Sequence, residues 1–399
     1  MPEPMRILVR ASPETSRIAL LDERGLCEFY QEEASAESLV GAIFLGRVER
    51  VLPDVKAAFI RIGLPLNGFL PLKESESYHR QQGNRPLMSG QELLVQVKKD
   101  PKGGKGAFLT RDIALPGQYV LLMPNNLFIG TSKRFEADSD RKRAHALGKE
   151  IAGERFGLIV RHAALFASRE EIQNEVTALW ELWQGIAQKA EYQKAPAQMH
   201  REPSMLSVLL RDYTARHSIE VAANVPRPHD IAEDIPWQCL PAVELEALWQ
   251  GKRIDAELSK ALNRRVELAQ GGSLVIDERE ALQTVDLNSG SVVKAVGEEA
   301  LPLAQNLQAV PEIARQIRLR NLSGILLVDF IDMSSDEERA QVQEAMTEAV
   351  RDDRVKTVVH GFTSLGLLEM TRKRTRDTLR DSLTEPCQYC HESGRMLRG

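Results

Sequence analysis

The ten residues GILLVDFIDM (324–333) set two carboxylates, Asp329 and Asp332, into an apolar run. Ile325, Leu326, Leu327 and Val328 read as a strand covered on both faces. A buried charge without a partner costs far more than one residue of apolar burial returns. The strand therefore has to end at a polar edge where something meets the acids, and its neighbours have to build that edge. GGSLVIDEREALQTVDLNSGS (271–291) reads as two strands joined by a polar turn, the first strand leading to a second that ends in Asp286. QNLQAVPEIARQIRLRN (305–321) reads as a helix, with Pro311 in its first turn or at a kink. SSDEERAQVQEAMTEAVRDD (334–353) reads as an amphipathic helix with a serine cap before Asp336. VKTVVHGF (355–362) reads as a strand, and LGLLEMTRKRTRDTL (365–379) as a helix with a basic end. Strands alternating with helices predict an α/β layered domain.

If Asp286 and Asp329 end neighbouring strands of one sheet, their carboxylates share an edge at about 4–6 Å. Two such groups repel unless a cation lies between them. Mg²⁺ typically takes one or two carboxylates and keeps its waters for substrate phosphate. Asn288, two residues beyond Asp286, points to the same side of an extended chain. The competing reading makes the two acids strand-end caps or ion-pair partners of Arg318 and Arg320. Asp332 is a candidate to stand behind the metal-holding pair, and its direct role stays open.

The N-terminal half is built differently. Residues 5–30 alternate as short strands of a meander. GAIFLGRVERVLPDVKAAFIRIGLPLNGFLPL (41–72) and GQELLVQVKKDPKGGKGAFLT (90–110) give short, evenly spaced strands with Gly and Pro turns. That pattern predicts a small antiparallel barrel resembling an S1-type RNA-binding barrel of the OB class. Phe59 and Phe69 fall on its binding face with Lys105 beside them. Bases of a single strand stack on aromatic faces for roughly 1–3 kcal/mol each, while a cation holds the phosphate. The alternative buries both rings in the barrel core. Residues 117–170 read as strands, a charged helix and a strand, followed by a helix at 169–192 and another at 204–216. Residues 224–244 read as an irregular linker and 242–268 as one long helix.

At 399 residues the chain exceeds one compact core. Its net charge of −5 argues against nucleic acid only on average, because KKDPKGGKG (98–106) and TRKRTR (371–376) are locally basic. No apolar stretch reaches the ~18 residues of a membrane helix, and MPEPMRILVR has no signal core, so a cytoplasmic protein is expected. Of Cys27, Cys239, Cys387 and Cys390, only the last two are close, as CQYC. This pair supplies half of a tetrahedral zinc site, or else is a free or redox thiol pair.

TVDLNSGS, EIARQIRLRNLSGILLVDFIDM, HGFTSLGLLEMTRKR and PCQYCHESG, in this order, resemble the catalytic region of the ribonuclease E/G family of bacterial endoribonucleases. The resemblance runs over nearly the whole chain and is closer to the short ribonuclease G type, without a scaffold tail. It implies an α+β, α/β multidomain protein. An RNase H-like domain is split into 1–37 and a shortened 205–265, with an S1 barrel (38–116) and a 5′-sensor (117–204) between the parts. A DNase I-like catalytic domain (266–386) and a zinc-link segment (387–399) follow. The resemblance further implies one Mg²⁺ between Asp286 and Asp329, and orientation of the scissile phosphate by Asn288. It assigns RNA binding to Phe59, Phe69 and Lys105, and 5′-phosphate sensing to Thr131, Arg161 and His162. Cys387 and Cys390 of each protomer would share one zinc in a homodimer. The implied activity is cleavage of single-stranded RNA to 5′-phosphate and 3′-hydroxyl ends, in RNA decay and rRNA or tRNA processing. A non-cleaving RNA-binding adaptor is the alternative. Two positions depart from the family pattern: His162 stands where Thr is common, and Ser364 where Arg often stands.

Overall fold

The computed structural model describes residues 5–33, 38–75, 86–101, 104–135, 137–201, 204–214, 217–228, 231, 233–269, 271–279, 281–289, 301–351 and 353–385. The chain forms two compact units, 36–217 and 1–35 with 218–399, so the first is an insertion in the sequence of the second.

In the unit of 1–35 and 218–399, the meander expected at the N-terminus is Met5–Ala11, Thr15–Asp22 and Gly25–Glu33. Met5–Ala11 also pairs in parallel with Ile219–Ala223, which pairs in parallel with Trp237–Cys239. The residues read as linker thus contain the edge strand of a five-stranded sheet. Leu8, Leu21 and Phe29 pack with Trp249, Ile254 and Leu258 from the helices Ala242–Gly251 and Ile254–Leu262. These are two helices, not the single one expected over 242–268. Arg253 adopts φ 54°, a left-handed conformation that interrupts the hydrogen-bond ladder, and Arg265–Glu267 is already a strand.

That strand opens a six-stranded sheet. Its order is Arg265–Glu267, Ser273–Glu278, Leu282–Asn288, Gly324–Asp329, Leu367–Arg372, Thr357–Phe362. Only the central pair, Leu282–Asn288 with Gly324–Asp329, runs parallel, and the helix Leu301–Leu319 lies between them in sequence. Val285, Leu287, Leu326, Val328, Leu368 and Met370 pack against Ile313, Ile317, Val342 and Met346 of that helix and of Asp336–Ala349. The second helix starts at a capping box in which Ser335 and Glu338 satisfy each other's backbone N–H groups. Pro311 lies well inside Leu301–Leu319 rather than in its first turn, because Leu303, Leu307 and Val310 extend the buried stripe towards the N-terminus. Residues 365–379 correct the helix expected there. Leu368, Met370 and Arg372 are buried while Leu367, Glu369 and Thr371 are not, a period of two, and only Leu379–Leu383 is helical.

The unit 36–217 holds a closed five-stranded barrel, Ile43–Leu52, Ala57–Arg61, Gly68–Pro71, Phe108–Thr110 and Glu92–Lys99, sealed by pairing of the first and last. Its core is Phe44, Ile60, Leu70, Val95, Val97 and Leu109. A four-stranded sheet follows, with the order Ile129–Thr131, Gly157–Val160, Val120–Met123, Leu115–Pro116, packed by the helices Asp138–Ala152 and Arg169–Tyr192. Helix Met205–Thr214 also belongs to this unit, which ends at 217 rather than at 204. Arg211 donates to the carbonyl of Pro116 at 2.9 Å and Asp212 holds Arg161 at 2.8 Å, tying the helix to the sheet.

Candidate functional site

The two central strands of the six-stranded sheet run parallel in a register that sets Asp286 directly beside Asp329. Alternation turns Val285, Leu287 and Val328 into the core and leaves Asp286, Asn288 and Asp329 exposed on the opposite face. The amide of Asn288 donates to Asp286 Oδ2 at 2.9 Å. Partial burial, then the charges of Asp286 and Asp332, push the Asp329 carboxyl above the ordinary carboxylate range. Among the described residues neither Asp286 nor Asp329 is ion-paired. Arg318, a candidate partner, reaches Asp22 at 3.3 Å. Arg320, the other, is fully buried against Gln316 (2.7 Å) and Glu278 (3.8 Å). Arg264 is within electrostatic reach of Asp286, but both oxygens of Asp277 hold its guanidinium.

Among the described residues this is a like-charge pair that no cationic side chain bridges. Its donors are all hard oxygens, with a side-chain amide one residue-pair away, which fits Mg²⁺ better than a soft metal. No cluster of three or more His, Cys, Asp or Glu with metal-holding geometry occurs among the described residues. Ser364 lies in the hairpin turn before Leu367, the residue registered with Asp329, so that position brings no guanidinium. Cys387 and Cys390 lie outside the described residues.

Phe59 and Phe69 are cross-strand partners, half-buried, with ring centroids 6.0 Å apart. Neither belongs to the barrel core, which removes the reading of both rings as interior residues. A third ring escaped the sequence reading: Phe108, 6.1 Å from Phe69, with Lys99 Nζ 5.8 Å from its centre. The signal was available, because Ala107 and Leu109 on either side are apolar and point inward. Lys105 is exposed on the segment leading into Phe108–Thr110.

Thr131 ends a strand paired in parallel with Gly157–Val160, so it lies beside Val160 and next to Arg161 and His162. Arg161 donates to the carbonyl of Gly117 and to Asp212 Oδ1. The His162 ring lies tilted against Phe135 at 5.6 Å and edge-to-face with Phe166 at 5.9 Å. Beside them, Glu175 accepts the N–H groups of Gln118, Tyr119 and Val120, and burial pushes its carboxyl up against the opposing effect of these bonds.

Residues 114–375 match the Ribonuclease E/G family model, and residues 39–111 match that of the S1 RNA binding domain. The chain belongs to the ribonuclease E/G family. It is 34% identical to Ribonuclease G of Escherichia coli K12, over 97% of this chain and 83% of that protein. Ribonuclease G of Haemophilus influenzae is likewise 34% identical, over 98% and 84%. Ribonuclease E of the same organism is 35% identical over 98% of this chain but only 44% of its own length, which matches the short type of the ribonuclease E/G family. The family match contains Thr131, Arg161, His162, Asp286, Asn288 and Asp329; the S1 match contains Phe59, Phe69, Lys99, Lys105 and Phe108.

Proposed function

We propose that this chain is a Mg²⁺-dependent endoribonuclease. It cuts single-stranded RNA to 5′-phosphate and 3′-hydroxyl ends, and serves RNA decay and rRNA or tRNA processing in the cytoplasm. The observation that carries the reading is the registered, exposed pair Asp286 and Asp329, which no described residue ion-pairs. Bound there, Mg²⁺ would stabilise charge developing on the phosphate and lower the pKa of an attacking water. Asp286 and Asp329 would hold the ion. Asn288, already fixed by its bond to Asp286, keeps its amide plane set for a phosphate oxygen. The RNase H-like and DNase I-like assignments of the two sheets belong to the same proposal. They are supported by the strand order of the first sheet and by the helix-covered mixed sheet of the second.

RNA is held by Phe59, Phe69 and Lys105, and the 5′ end by Thr131, Arg161 and His162. Arg161 already spends two donors on Asp212 and Gly117, so a 5′-monophosphate gains less from it than from a free guanidinium. Zinc shared through Cys387 and Cys390 of two protomers rests on the motif. The test is purified protein with labelled unstructured RNA, in Mg²⁺ and in EDTA, with the product ends identified. Cutting in Mg²⁺ alone, with 5′-phosphates, is expected. A 5′-monophosphate should favour cutting over a 5′-hydroxyl by less than about tenfold, the effect of a guanidinium already paired. RNA binding without any cutting would favour the adaptor reading.

A further inference from the structure

We propose that Phe108 is a third base-stacking platform, so that the barrel holds three successive bases of a single strand. The inference rests on the RNA-binding reading of the barrel and extends it to residues assigned no role there. The registers of adjacent strands place Arg50 opposite Phe59, Phe59 opposite Phe69, Phe69 opposite Phe108, and Phe108 opposite Lys99. Three rings thus stand in one row across three strands, with a cation at each end.

The row has the features of a binding surface rather than of packing. All three rings are half-buried on the outside of the barrel, while Ala107 and Leu109, which flank Phe108, are fully buried inside it. The rings lie 6.0 and 6.1 Å apart and are inclined by 63° and 53°, so they meet edge to face or tilted rather than stacking on one another, and each can offer a face to a base splayed from its neighbour. Each terminal cation follows a register shift, between Val48 and Arg50 and between Val97 and Lys99. Such bulges re-aim side chains at functional edges. Lys98 is held by Glu74 at 2.8 Å, whereas Lys99 has no acidic partner among the described residues. Lys99 is therefore free to meet the phosphate of the base on Phe108.

The test uses the full chain in EDTA, so that no strand is cut, with oligouridylates of increasing length and affinity read by fluorescence anisotropy. Phe108→Ala should weaken binding about tenfold, the loss of one stacked base. The loss should appear only once the strand is long enough to reach the third ring. Phe108→Leu, which keeps apolar volume, should lose most of the same affinity, and Phe108→Tyr should keep it. Lys99→Gln should lower the salt dependence by about 0.7 in slope, the value for one phosphate contact on a single strand. Phe59→Ala is the control. If it weakens binding and Phe108→Ala does not, the third platform is overturned while RNA binding stands. If neither matters, the RNA reading of the barrel fails as well. An equal loss at every strand length, accompanied by a lower Tm, would make Phe108 a packing residue and overturn the proposal.

Discussion

Asp329 carries the clearest signature of function at the scale of one residue. Its carboxyl is raised by partial burial and by Asp286 and Asp332, so the folded chain binds this proton more tightly than the unfolded chain does. Ionised Asp329 therefore costs stability above its folded pKa, and the cost disappears as pH falls through that value. In EDTA at neutral pH, Asp329→Asn should have a slightly higher Tm than wild type, and the gap should close on acidification. Mg²⁺ should stabilise wild type and leave the variant unchanged. Thermal scans across pH decide it, and a variant less stable than wild type at neutral pH would contradict the account. The pairing was legible in sequence because each acid ends a run that can only be a covered strand. That Arg318 and Arg320 face other acids was not legible, since it depends on how the helix Leu301–Leu319 is rotated against the sheet.

Elements were read best where one face is buried and worst where charge masks the period. Arg169–Tyr192 has the bounds expected, and a Ser168–Glu171 capping box opens it. Over the strand Leu367–Arg372 the sequence predicts a helix, because TRKRTR has the charge of a solvated basic helix face. Instead Arg372 points inward, bonded to Asp353 at 2.7 Å, to Asn321 at 2.6 Å and to the carbonyl of Leu322 at 3.1 Å. Asp353 also accepts from the Val355 N–H and the Thr357 hydroxyl, both at 2.9 Å. Burial opposes its ionisation, but Arg372 and these bonds hold its carboxyl below the usual range. A depressed carboxylate contributes stability above its unfolded pKa and loses it as pH falls through the folded value. Asp353→Ala, which strands a buried guanidinium, should cost about 3–5 kcal/mol in urea unfolding at neutral pH. The penalty should shrink only in strong acid, and a loss under about 1 kcal/mol would show that the pair is dispensable.

At the scale of the whole molecule, the insertion of 36–217 between two parts of one unit leaves little local trace. Met5–Ala11 pairs with Ile219–Ala223 across some two hundred residues, and no periodicity within either strand announces its partner. The barrel was more legible, because its strands are consecutive and its turns carry Gly and Pro. The proposed sharing of one zinc by two protomers also belongs to this scale. Metal analysis should give half a zinc per chain in a dimer, and Cys387→Ser should release the zinc and weaken the dimer together, as seen by light scattering. One zinc per monomer would contradict sharing.

The central claim is that Asp286 and Asp329 jointly serve cleavage rather than RNA binding or folding. The most direct test compares wild type, Asp286→Asn and Asp329→Asn for cutting of a labelled single strand in Mg²⁺, with affinity for the same strand measured in EDTA. The account predicts that each variant cuts at least about a hundredfold more slowly, the scale of losing a metal ligand's contribution to the transition state, while RNA affinity changes less than about twofold. Either variant cutting at near wild-type rate, or losing RNA affinity in step with cutting, would contradict it.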